Sequence, residues 1–360
     1  MEDLDVNSNF WCGKRVFVTG HTGFKGSWLC LWLQQLGAEV TGYALMPPTP
    51  LNLFDIARVG ASMRSVIGDV RDLDKLVGAL EAHRPEVVIH MAAQPLVRRS
   101  YEAPVETYST NLLGTVNLLE AVRQTHCVRA VVNVTSDKCY ENREWIWGYR
   151  ENDRMGGFDP YSNSKACAEL ITEAYRNSFF NAADFSRHGI ALASARAGNV
   201  IGGGDWAQDR LIPDIVRSLS AGKPVMIRNP GAIRPWQHVL EPLGGYLQLA
   251  EALYRHGAEY ASAWNFAPED SGTQSVRWIV ERFSLRWGVS PTCELQASPQ
   301  LHETNVLKLD CSKARTLLGW KPRWCLSQAI DAIVEWHAAF MHEADMHALS
   351  HSQIRAYLDS

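Results

Sequence analysis

The segment VFVTGHTGFKGSWL, residues 16–29, constrains the fold more than any other stretch of the chain. A short β-branched run ends at Thr19, and Gly20, Gly23 and Gly26 follow it. A helix opens on those glycines, with Trp28, Leu29, Trp32, Leu33 and Leu36 along one face and Gly37 placed to end it in a left-handed cap. A second strand is expected at Glu39 to Ala44. Strand, glycine turn, helix and strand make a βαβ unit, which commits a chain to a parallel sheet covered by helices. The glycines do more than turn the chain. Only residues without Cβ let backbone N–H groups and a helix N-terminus approach a pyrophosphate closely, so the segment also reads as a dinucleotide-binding loop.

The alternation continues through the first half. Further strands are expected at Arg64 to Gly68, Glu86 to Met91, Arg129 to Thr135 and Ile190 to Arg196, and helices from Pro104 to Val122 and from Pro160 onward. The fold class is therefore α/β, a doubly wound parallel sheet. Beyond Ala197 the pattern loosens into glycine- and proline-rich turns such as GNVIGGGDW and RNPGAIRPW. We expect residues 1–196 to form the nucleotide-binding domain and 197–360 mainly a smaller C-terminal α/β lobe, with part of 232–265 returning to the first.

Composition excludes several classes. A hydrophobic content of 46% over 360 residues allows a large core that needs neither disulfide nor metal. The net charge of -4 gives no long-range attraction for nucleic acid or an anionic membrane, so a small anionic ligand suits the chain better than a polymer. The opening MEDLDVNSNF is acidic where a secretory signal is basic, and no apolar run is long enough to span a bilayer. None of the eight cysteines stands at zinc-finger spacing or in a CxxC pair; they read as reduced, buried thiols of a cytoplasmic protein. His347 and His351 share a helix face without a partner motif, so no metal site is expected and the terminal helix reads as solvated.

Five positions carry candidate chemistry. Tyr161 and Lys165 of YSNSK lie on one face of a helix that Pro160 opens. Bringing a tyrosine of pKa about 10 near neutrality takes about 4 kcal/mol, which a lysine ammonium and a positively charged nicotinamide ring can supply. Such a pair also arises on ordinary amphipathic helices. Its context is VVNVTSDKCYEN, which ends a strand in Ser136, Asp137 and Lys138: a hydroxyl, an acid and an amine at one strand end, where a bland surface pair is the competing reading.

Taken together, the TGxxGxxG spacing and YSNSK resemble the extended short-chain dehydrogenase/reductase family, whose fold is Rossmann-like. The resemblance implies NAD as cofactor, held by Gly20, Gly23, Phe24 and Gly26, with Asp69 and Val70 at the adenine, Ala92 and Ala93 of HMAAQP alongside, and Tyr161 and Lys165 at the nicotinamide. One departure bears on NAD against NADP: EVTGYALM lacks the acidic residue that grips an adenine ribose. Ser136 matches the family's hydroxyl residue beside the reacting sugar. SDKCYEN is similar to the branch of 4,6-dehydratases acting on CDP-glucose, whereas the dTDP-glucose branch reads Asp-Glu after that hydroxyl.

On this resemblance Tyr161 takes a proton as C4 of a nucleotide sugar is oxidised. Neutral Lys138 removes the C5 proton and Asp137 protonates the leaving C6 oxygen. Asn199 and Arg234 match residues that hold the substrate diphosphate, with Arg210 and Trp206 further contacts, although GGGDW and RPW also read as a turn and a packed loop. LDCSKARTLLGWKP resembles the ending of the substrate lobe. The family pairs helices 104–122 and 160–179 into an intersubunit four-helix bundle, so a homodimer is expected. Residues 143–158 read equally as a sugar cover or a packed loop. The competing functions are a dehydratase or 4-epimerase for another nucleotide sugar and, more remotely, a non-catalytic NAD-binding scaffold.

Overall fold

The computed structural model describes residues 6–295 and 306–360. The first five residues of the acidic opening segment lie outside that range. Among the described residues twelve strands are formed: β1 (Arg15–Thr19), β2 (Glu39–Ala44), β3 (Arg64–Ile67), β4 (Val87–His90), β5 (Ala130–Val134), β6 (Ala191–Ala197), β7 (Asn199–Ile201), β8 (Val225–Ile227), β9 (Ile233–His238), β10 (Ala263–Phe266), β11 (Thr273–Ser275) and β12 (Cys293–Leu295). The six strands expected in the first half are all present, with ends shifted by a residue or so.

Seven of these strands build one parallel sheet in the order β10-β6-β5-β4-β1-β2-β3. β4 and β5 are buried along their whole length, as strands covered on both faces must be. Alternation within β1 shows the two layers: Val16 and Val18 join Trp28, Trp32, Leu243 and Leu247 on one side. Phe17 joins Leu76, Leu80, Leu118 and Val122 on the other. The strand order reverses between β1 and β4, which opens a crevice beyond their C-terminal ends. The glycine loop follows β1 and the HMAAQP segment follows β4, so both line that crevice.

A smaller unit stands over the crevice. Its three-stranded sheet runs β11-β9-β7 and a two-stranded sheet joins β12 to β8. Ile212, Ile215, Ile279, Phe283, Ile330 and Ile333 fill its core from the helices Leu211–Ser220, Val276–Trp287 and Leu326–Met341. Between these elements the chain goes back to the large sheet. Helix Leu240–His256 packs on β5 and β6, and β10 extends the sheet beside β6. The LDCSKARTLLGWKP stretch also packs there, with Cys311, Ala314, Leu318 and Trp320 in the first core.

Three expectations need correction. The terminal helix Met346–Leu358 is docked, not solvated: Met346, Ser350, Ile354 and Tyr357 repeat at helical spacing and are buried, and the Tyr357 hydroxyl donates to Glu241 at 2.9 Å. Cys12, Cys293 and Cys325 are exposed while Cys30, Cys139 and Cys311 are buried, so the thiols are not uniformly interior. The helix opening at Pro104 runs on to Gln124, but Ser109–Leu113 form a π-helical turn inside it.

Close packing at the glycine loop has a stability consequence. A Cβ on Gly26 would fall 2.1 Å from the Gly20 carbonyl oxygen, so the helix would have to lift from the strand turn. Gly26→Ala is expected to cost about 1–3 kcal/mol as an overpacked site, roughly 2–10 °C in Tm, measurable by thermal unfolding.

Candidate active site

Local chemistry fixes each wall of the crevice. Gly20 has φ +77° and faces the β4 exit so closely that a Cβ would meet the Ala92 nitrogen at 2.8 Å. Thr19 ties the two segments together: its Oγ1 accepts from the N–H groups of Met91 and Ala92, each at 3.1 Å, and lies 2.7 Å from His90 Nδ1. Gly23 begins the helix Phe24–Gln35 with no side-chain cap, so the first-turn N–H groups have no side chain to satisfy them. An uncapped twelve-residue helix behind a close-packed glycine turn fits a dinucleotide pyrophosphate. Phe24 packs toward Gly202 of the smaller lobe, and Val70 packs against Gly114. Ala92 and Ala93 are half-buried along the crevice. Asp69, matched to an adenine contact, has its carboxylate gripped by Arg71, with a 2.9 Å bond from Nε to Oδ2. That pairing holds Asp69 below the usual carboxylate range despite its partial burial.

The reacting residues come from β5 and the helix Pro160–Ser178. Asp159 caps that helix, accepting from the Ser162 N–H at 2.9 Å and from its hydroxyl at 2.6 Å, which sets Tyr161 in the first turn and Lys165 one turn later. Thr135 follows the end of β5, and Ser136 then caps a short 3₁₀ turn, Asp137–Cys139. Ser136 Oγ donates to Asp137 Oδ1 at 3.0 Å and accepts from the Lys138 N–H at 3.2 Å.

Burial governs the charges. It pushes the Tyr161 phenol up to about 12, with Ser136 drawing it back and Asp137 adding to the rise. The Lys165 ammonium donates to the Val134 carbonyl at 3.3 Å. Lys165 itself is lowered to about 8 by burial, opposed by Glu169 and Cys139. Asp137 is raised by burial against the pull of Lys138, Ser136 and Arg234, and its Oδ2 is buried without a hydrogen-bond partner. A raised carboxyl with one free oxygen is suited to donate a proton into the crevice. Lys138 beside it is only half-buried.

Arg234, on β9, acts electrostatically on Asp137, and Arg210 on Tyr161. Asp205 holds Arg210 at 3.0 Å. Asn199 begins β7 and is half-buried. Trp206 packs edge-on against Trp336, His337 and Phe340. Loop 143–158 is packed in part, with Trp145 stacked on Tyr149 and Tyr149 on Tyr140, while Ile146, Trp147 and Phe158 are exposed.

Two structural partners escaped the sequence reading. Lys25, inside the glycine loop, points at this cluster: its Nζ donates to the Tyr246 hydroxyl at 3.2 Å, and loss of water, with Lys165 and Arg210 nearby, lowers it to about 7. A cation breaking an otherwise apolar helix start was the available signal. Asn111 sits in the π-helical turn and exchanges bonds with the Gln94 backbone at 2.8 and 3.1 Å while donating to Ser164 at 2.8 Å. It thereby fastens the β4 exit to the tyrosine-bearing helix.

The GDP-mannose 4,6 dehydratase family matches residues 17–333, almost the whole of both layers just described. The chain belongs to this family. It is 58% identical to the CDP-glucose 4,6-dehydratase of Salmonella typhimurium (strain LT2), covering 99% of each chain. A dTDP-glucose 4,6-dehydratase of Xanthomonas campestris pv. campestris is 25% identical, over 89% of this chain and 92% of the relative. Among solved structures, MoeE5 in complex with UDP-glucose and NAD superposes with a TM-score of 0.76 at 25% identity, over 91% of this chain and 100% of MoeE5. Membership accounts for the doubly wound sheet and for the crevice at its switch point.

Asp137 gives a pH test of the geometry. Because its folded-state pKa is raised, its ionisation costs stability as pH rises from the ordinary carboxylate range through the folded value. Asp137→Asn, which carries no charge, should therefore raise Tm near pH 7, and that gain should shrink as pH falls and disappear near about pH 3, below the ordinary carboxylate value, where Asp137 is protonated in the folded and unfolded states alike. Thermal melts of the two proteins across this range measure it.

Proposed function

We propose that the chain catalyses the NAD-dependent 4,6-dehydration of CDP-D-glucose to CDP-4-dehydro-6-deoxy-D-glucose and water. The near full-length similarity to the Salmonella typhimurium enzyme carries the substrate assignment. The side chains gathered beyond β1, β4 and β5 supply the chemistry.

Gly20, Gly23, Phe24 and Gly26 would hold the cofactor pyrophosphate, Asp69 and Val70 its adenine end, and Ala92, Ala93, Tyr161 and Lys165 its nicotinamide end. When bound, NAD accepts a hydride from C4 of the sugar and returns it to C6, so no external reductant is consumed. Tyr161 receives the C4 hydroxyl proton, with Ser136 hydrogen-bonded to the same oxygen. A ketone at C4 acidifies the C5–H bond. Lys138 removes that proton while Asp137, raised by burial, gives one to the departing C6 oxygen. Asn199, Arg210 and Arg234 hold the diphosphate, the two arginines through charge-assisted hydrogen bonds. Residues 197–360 are thus mainly the nucleotide-sugar lobe, with part of 232–265 serving the cofactor domain 1–196.

The setting follows from the product. A 4-keto-6-deoxy nucleotide sugar is a precursor of deoxysugars for surface polysaccharide such as lipopolysaccharide O-antigen, and its synthesis belongs in the cytoplasm with the NAD and nucleotide pools. A homodimer is supported by an apolar groove among Val105, Tyr108, Leu112, Leu113 and Val116, beside exposed Leu170 and Phe179 on the neighbouring helix.

Purified protein given NAD and a panel of nucleotide glucoses should convert CDP-glucose to a product lighter by one water; conversion of another nucleotide glucose in preference would overturn the base assignment. With Lys138→Met, elimination should slow by roughly two to four orders of magnitude. Sugar oxidised at C4 but retaining its C6 oxygen should then be trapped by mass spectrometry, whereas Tyr161→Phe should leave the sugar unoxidised. Full activity in Lys138→Met would move the base elsewhere.

Sedimentation at micromolar concentration should show a dimer for the unaltered chain and a shift to monomer in Leu113→Asp. A monomeric unaltered chain contradicts the bundle.

A further inference from the structure

Behind the reacting residues lies a buried ion pair that the reaction does not touch. Glu169 stands one turn beyond Lys165 on the helix Pro160–Ser178, and Arg196 stands near the end of β6. They meet at 2.7 Å, each side chain about as enclosed as the core, at 4% exposure. Moving two charges out of water costs several kcal/mol per ion, and well-packed apolar residues of similar volume often hold a core as well or better. Stability alone is therefore a weak account of this pair.

Its hydrogen bonds point to a different role. One Glu169 oxygen accepts from the Thr135 hydroxyl, and the other accepts from Ser194 at 2.6 Å. The Arg196 guanidinium donates to the Tyr140 hydroxyl at 2.6 Å and lies over its ring, 5.0 Å from the centroid. Tyr140 in turn donates to Asn265 at 2.7 Å. Thr135 immediately precedes Ser136, and Tyr140 closes the 3₁₀ turn that carries Asp137 and Lys138. The segment bearing those three residues is thus held at one end by the anion and at the other by the cation. The anion's own helix carries Tyr161 and Lys165.

We propose that Glu169 and Arg196 are positioning residues, whose pairing sets the 136–138 segment in register with the Tyr161–Lys165 helix for proton transfer at C5 and C6. This rests on the dehydration proposed above. The pair acts through Thr135 and Tyr140 and contacts no reacting atom. Displacement of the segment changes the angle and distance at which Asp137 and Lys138 meet the sugar, while the diphosphate contacts at Asn199, Arg210 and Arg234 are left in place.

The test separates position from stability. Thr135→Val and Tyr140→Phe each remove one hydroxyl and leave the ion pair intact. Each should lower kcat for CDP-glucose by about tenfold or more, the scale expected when a reacting group is shifted by a fraction of an ångström, with KM changed less than about threefold. The isotope effect on kcat with C5-deuterated CDP-glucose should grow in both, because C5–H removal becomes slower relative to the other steps. A Glu169→Met/Arg196→Met double variant removes both charges together. It should match the unaltered chain in Tm and still show the kcat loss. Unaltered kcat and isotope effect in the two hydroxyl variants would overturn the proposal whether or not the double variant folds, and so would a folded double variant of full activity. Failure of the unaltered chain to dehydrate CDP-glucose would instead count against the assigned reaction.

Discussion

Everything at the site depends on how closely three backbones approach one another at the reversal of strand order. Gly20 lies against the β4 exit and Gly26 against the Gly20 carbonyl, at separations where a Cβ has no room. Thr19 adds the specific bonds, bridging to Met91 and Ala92. Loosening that contact would leave the glycine-loop helix without its seat on β1 and the β4 exit without its partner. The crevice between them would lose its floor. The π-helical turn at Ser109–Leu113 serves the same geometry, since it places Asn111 where it can reach both Gln94 and Ser164. A regular helix through that stretch would rotate the Asn111 side chain relative to one of its two partners.

Much of this was legible in the sequence for physical reasons. A buried parallel strand requires a β-branched run, and a chain crossing over itself requires an intervening helix, so the strand positions followed from pattern alone. Tyr161 and Lys165 were legible because i and i+4 spacing fixes a shared helix face. The misses have causes as definite. Nothing local distinguishes a π-helical turn, which depends on the contacts made across it. The terminal helix Met346–Leu358 carries a narrow apolar stripe that looks solvated until the helix Phe24–Gln35 is placed beside it. Trp206, expected as a further substrate contact, packs against Trp336, a partner distant in sequence that no local pattern announces. The i and i+4 spacing placed Lys165 beside Tyr161 but does not fix where the ammonium points, and it points to Val134.

Desolvation sets the electrostatic character of the crevice. Tyr161 and Asp137 are raised and Lys165 and Lys25 are lowered, so burial moves all four toward their neutral forms. A cluster so poorly solvated responds strongly to charge brought into it. A diphosphate near Arg210 and Arg234 would enter a region where each unit of charge is poorly screened, and it would shift all four groups at once.

The adjacent acid and amine at Asp137 and Lys138 show how one strand end can support two opposite proton transfers. Asp137 is almost wholly enclosed, with one oxygen held by Ser136 and the other free, so burial favours the protonated acid. Lys138 follows on the opposite side of the turn and is only half-buried. Their proximity works against the difference, because the Lys138 charge draws the Asp137 pKa back down. In the proposed reaction Asp137 must still hold a proton beside an amine whose charge favours the carboxylate. Enclosure of Asp137 works the other way: in the low-dielectric floor of the crevice burial makes the carboxylate costlier to form, and it outweighs the pull of Lys138, so the net shift is upward. A serine hydroxyl that donates to only one oxygen leaves that balance in place, whereas a second donor would tip Asp137 toward the anion and remove the proton it has to give.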